Sequence, residues 1–202
     1  MNSSVQISAS TDDAYRKLDT SAWSLTEPNW VVGGFNSNNH QFGGGGRFNN
    51  VVVPQGATIV TAKFTITNRQ ASYNGIVKSR ISAEDVDDAA TFADDSAAFD
   101  TRWAARTTAR VDWDLPAQAW ADQTEYDSPE IKTIIQEIVN RVGWVSGNSI
   151  VIFWDDFDDR TTQGLYTVRD VYSYDNPGFT AYAPKLSITY LPVAGNQGYI
   201  IG

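Results

Sequence analysis

Between residues 128 and 154 the spacing of apolar residues changes period. Ile131, Ile134, Ile135, Ile138 and Val139 recur every three or four positions, the stripe of a helix with one buried face. Ser128 is a residue type that caps helices, Pro129 suits the first helical turn, and Glu130 favours the positive end of the helix dipole. Arg141 and Gly143 supply a basic last turn and a left-handed stop, so the spacing predicts a helix over about 128–141. A turn at Ser146-Gly147-Asn148 then leads into Ile150-Val151-Ile152-Phe153-Trp154, an apolar run of strand length.

Elsewhere the period is two. Residues 5–9 alternate, residues 30–32 make a short candidate, and residues 58–67 carry Ile59, Ala62, Phe64 and Ile66 among polar neighbours. Residues 76–83, 111–113, 165–174 and 185–190 add further strands, separated by turns such as Pro54-Gln55-Gly56-Ala57 and Asp175-Asn176-Pro177-Gly178. Residues 89–106 read as an alanine-rich excursion anchored by Phe92, Phe99 and Trp103, with a short helical turn at 94–99. Residues 36–50, with four consecutive glycines at 43–46, read as a flexible surface loop. No lysine-serine or lysine-threonine pair follows them, so they are not a phosphate-binding loop.

Four pieces of this sequence resemble a family of jelly-roll modules related to carbohydrate-binding modules, found in secreted bacterial proteins and among phage structural proteins. They are residues 53–59 with their Pro54-Gly56 turn, residues 106–113 ending in Trp113, the helical stretch from Ser128 to Trp144, and Ala183-Pro184-Lys185-Leu186 with Ile188-Thr189-Tyr190. The resemblance implies an all-β fold: a jelly-roll sandwich of two antiparallel sheets with one packed helix. It also implies a non-catalytic role in binding or display. On this reading residues 1–190 form one domain and residues 191–202 a tail or assembly arm.

Composition narrows the partners. The 202 residues carry 15 basic and 24 acidic side chains, a formal net charge of −9, which disfavours nucleic acid and anionic membrane surfaces. Cysteine is absent, which removes disulfides and thiol chemistry. No leader opens the sequence and no apolar run reaches membrane-spanning length. A virion or an extracellular, cell-surface setting is the expectation.

Three sets of residues could carry chemistry. His40, the single histidine, would have to serve any histidine-dependent triad, and its glycine-asparagine surroundings read as solvated loop. Two acidic runs, residues 84–88 and Asp155-Asp156-Phe157-Asp158-Asp159, offer hard oxygens for a structural calcium ion. The second run is favoured, with Asp155, Asp156, Asp158 and Asp159 as ligands, because a buried strand precedes it. Among the aromatics, Trp113, Trp144 and Trp154 read as core, whereas Trp120 with Tyr172 or Tyr174 could stack on a sugar ring.

These features lead to a structural and binding module on a virion or cell surface. Its expected partners are a polysaccharide or cell-surface glycan, other virion or surface proteins, and further copies of itself as a homo-oligomer. The alternatives are a carbohydrate-binding module of a secreted polysaccharide-acting system and a glycosidase or lyase on a β-sandwich.

Overall fold

β6 (Thr58–Thr67) organises the smaller sheet. Its apolar positions alternate except at Val60, where the pairing with β12 (Lys185–Leu191) slips by one residue. That bulge lets Ile59 face the same core as Ala62, Phe64 and Ile66. β1 (Asn2–Gln6) pairs with the other edge of β12, and β9 (Glu125–Asp127) pairs with β6, giving the order β1-β12-β6-β9.

The larger sheet has eight strands. Its main path is β11 (Val168–Tyr172), β4 (Asn29–Phe35), β5 (His40–Phe48), β10 (Ile150–Asp155), β7 (Val77–Ala83) and β8 (Val111–Leu115). β2 (Asp13–Lys17) pairs with β5 and with β3 (Ala22–Ser24). All the named strand pairs are antiparallel. The structure is a computed structural model that describes residues 1–20, 22–35 and 40–193.

The two sheets face one another across one apolar core. Phe64 of the smaller sheet lies 6.2 Å from Trp30 and 6.1 Å from Trp154 of the larger one, ring centre to ring centre. Trp113, Trp144 and Trp154 are buried there, as the sequence predicts.

A second apolar cluster covers the other face of the larger sheet. Val151 and Phe153 point there, while Ile152 and Trp154 point to the main core, which is why β10 is apolar from Ile150 to Trp154. The cover is a helix, α1 (Ser96–Ala104), capped by the Asp95 carboxylate. Its Phe99 ring stands 5.5 Å from Phe153. The protein therefore has two α-helices among the described residues, where the sequence predicts one and a short turn.

The predicted helix is shorter than its signals suggest: α2 spans Lys132–Val139. Ser128 does not cap it, because the Ser128 hydroxyl accepts the Phe64 N–H at 3.0 Å. Gly143 is not left-handed either; the Asp87 carboxylate packs where its Cβ would stand. The segment instead closes the edge of β6 beyond β9. Glu130 accepts the Ala62 N–H, Ile131 donates to the Ala62 carbonyl, and the Gln136 amide bonds both Ile59 N–H and Ala57 C=O. Side chains thus do there what a neighbouring strand would do.

The glycine run is the clearest departure. Residues 43–46 are a central strand, buried on both faces between β10 and β2. A Cβ on Gly46 would stand 2.8 Å from the Trp30 ring, and one on Gly45 would stand 2.7 Å from Phe92. Only glycine lets large rings lie this close to both faces of the backbone. This part of the predicted loop is therefore buried strand and not a surface loop, and residues 36–39 lie outside the described residues.

Candidate functional site

The candidate sugar-stacking residues separate. Trp120 is 6% exposed and its ring is stacked at 4.1 Å on Tyr126, with Trp113 and the Arg169 guanidinium on other sides. It has no open face for a ligand. Tyr174 is half-buried, and its N–H donates to Asp13 at 2.7 Å. Tyr172 is also buried, but it forms the floor of an aromatic cluster that reaches the surface.

That cluster is built by the chain reversal after β11. The turn at residues 175–178 and a short 3-10 turn at Thr180–Tyr182 bring Phe179 and Tyr182 over Tyr172, at 5.2 and 5.1 Å. Phe179 and Tyr182 are themselves stacked, 5.6 Å apart at 24°, and both are half-exposed. From another loop, Gln123 comes in with a left-handed backbone (φ 51°). Its side chain bonds the Tyr172 hydroxyl and meets the Tyr182 hydroxyl at 3.4 Å. The result is a ledge with ring faces flanked by an amide, two phenols and the exposed Asp122. Planar apolar surface beside polar groups suits a sugar ring with its hydroxyls.

No protein-family model matches the sequence, and no curated protein matches it either. The site therefore rests on its own geometry.

The acidic run after β10 is tied down by donors. Asp155 is buried and accepts the Trp103 indole N–H at 2.9 Å and the Phe157 N–H at 3.1 Å. Burial pushes its carboxyl up to about 7. Asp156, also raised by burial, accepts the backbone N–H groups of Arg160 and Thr161. Asp158 pairs with Arg80 and Arg106, and Asp159 accepts from Gln163. These oxygens do not converge, and among the described residues no group of three or more His, Cys, Asp or Glu side chains is placed to hold a metal ion. The first acidic run behaves alike: Glu84 is forked by Arg102, and Asp85 and Asp87 both pair with Arg141. Neither run fits calcium as it stands.

Asp13, at the start of β2, is buried beside Asp175, and burial pushes it up to about 8. Its carboxyl group accepts the Tyr174 N–H at 2.7 Å and so clasps β2 to the 173–176 turn. His40 opens β5, with Lys17 Nζ at 3.4 Å and the Phe42 ring beside it.

Sequence reasoning identified Tyr172, but it missed Phe179 and Gln123. Phe179 follows the Asn176-Pro177-Gly178 turn, a signal of chain reversal that places an aromatic next to the preceding strand. No local signal marks Gln123, which arrives from a loop about fifty residues away in sequence.

Proposed function

We propose that this protein is a non-catalytic module of jelly-roll type that acts as a structural and binding unit on a virion or cell surface. Its ledge of Tyr172, Phe179 and Tyr182 meets a polysaccharide. The observation that carries this reading is the half-exposed stack of Phe179 on Tyr182 beside the Gln123 amide. The chain passes from one sheet to the other at β1 to β2, β5 to β6, β6 to β7, β8 to β9, β9 to β10 and β11 to β12, a to-and-fro that supports the jelly-roll reading. The partnered state of the buried carboxyls supports a binding role over hydrolysis.

Assembly with other proteins or further copies is part of the same proposal. Val142, 95% exposed, and Val145 stand on the turns that follow α2, an apolar surface suited to a protein contact. The tail expected as an assembly arm lies outside the described residues from 194 onward.

A glycan array tests the reading. Binding to at least one polysaccharide that Tyr182→Ala weakens by about tenfold or more, the loss of one stacked face, is the expected result. An array on which the folded protein binds nothing would overturn it.

A further inference from the structure

A cavity of about 200 Å³ opens where β11, β4 and β5 lie side by side, apart from the ledge. Val31, Phe35, Phe42, Tyr73 and Val168 line it. Phe35 and Tyr73 meet edge to face, 6.5 Å apart at 70°, the arrangement that a third ring extends without a clash of like-charged faces.

The lining also says what would not sit there. Among these five side chains only the Tyr73 hydroxyl is polar, so the side chains give a polar ligand little to bond and an apolar one most of the surface. A dry cavity of about 150 Å³ takes benzene, so this one has room for a substituted ring. Next to Val31 across the β4–β11 ladder, Asp170 is forked by Arg69 at 2.6 and 2.9 Å, which leaves that side without an unpaired charge. On the loops that lead into β7 and β11, Ile76, Leu165 and Tyr166 are exposed, and the Gly75 N–H bonds the Tyr166 carbonyl to hold the two loops together.

We propose that this cavity is a second binding site, independent of the ledge, and that it takes a single uncharged aromatic ring, either free or carried on a larger ligand. The cavity exists without rearrangement and needs no partner chain.

The test uses p-cresol titrated into the full-length, nitrogen-15-labelled protein. Saturable amide shifts are expected at Val31, Phe35, Phe42 and Val168, unchanged in Tyr182→Ala. Val168→Phe and Val31→Phe each fill the hollow with apolar volume, and each should weaken binding at least tenfold in a protein that still melts cooperatively. Shifts confined to Phe179 and Tyr182, no saturable shift at the cavity residues, or unchanged affinity in both folded filling variants would overturn the proposal. Should both variants fail to fold, the wild-type shift map decides between these outcomes. Failure here would leave the ledge untouched, and failure of the glycan array would leave the cavity untouched.

Discussion

The tip of the Phe92 ring stands against the backbone of Gly45, so close that a Cβ there would lie 2.7 Å from the ring's Cζ. Trp30 occupies the same relation to Gly46 on the opposite face. Between them they make the thinnest part of the larger sheet the place where both apolar clusters come together.

Gly45→Val should therefore destabilise the protein by roughly 1–3 kcal/mol, the usual cost of forcing extra methyl groups into a filled core. Chemical denaturation measures it. In an exposed strand or loop the same change would be neutral or favourable, because valine restricts the unfolded chain and suits extended backbone. The sign of the effect separates a central strand from a surface loop.

Gln136 bonds Ile59 N–H and Ala57 C=O along the open edge of β6. Gln136→Leu keeps the volume and leaves both backbone groups without that partner, so a loss of about 1–3 kcal/mol is expected. Gln136→Glu keeps the acceptor for Ile59 and should lose less. Equal stability of wild type and the leucine variant would show that the helix does not close this edge.

Burial raises Asp13 to about 8 and Asp155 to about 7. In the unfolded chain both would titrate near 4. Between those values the native protein holds protons that the unfolded chain has released, so stability falls as pH rises. The stabilising contribution is fully present below about pH 4 and is gone above about pH 8. The denaturation midpoint should be higher at about pH 5 than at about pH 8.5, and Asp13→Asn should flatten part of that slope. A midpoint that climbs over the same range would contradict the placement of both carboxyls.

Asp155, Asp156, Asp158 and Asp159 already accept from Trp103, Arg160, Thr161, Arg80 and Gln163, among others. Excess calcium and excess chelator should therefore give the same melting temperature within about 2 °C, less than 1 kcal/mol of binding would produce at this size. A larger rise with calcium would mean that these residues rearrange to coordinate it.

Residues whose side chains report their surroundings were legible. The isoleucines of α2 and the alternation of β6 each name a buried face, and the unbroken apolar run of β10 marks a strand covered on both sides. Glycine carries no such signal: residues 43–46 lack the side chains from which burial is read, so a central strand looks like a linker. α1 was reduced to a turn because one buried residue, Phe99, carries its contact with the sheet and leaves little amphipathic pattern. Part of the ledge was visible as tyrosines near a turn. Its completion by Phe179 and Gln123 depends on tertiary packing between distant loops, which spacing along the chain does not encode.

The most direct check on the ledge is calorimetric titration of the array's best polysaccharide into wild type, Tyr182→Ala and Val60→Ala, the last an exposed site on β6 in the other sheet. Saturable binding that the Val60 variant keeps and the Tyr182 variant loses by at least about tenfold, or 1.4 kcal/mol, is the result predicted. Equal affinity of the Tyr182 variant and wild type would contradict it.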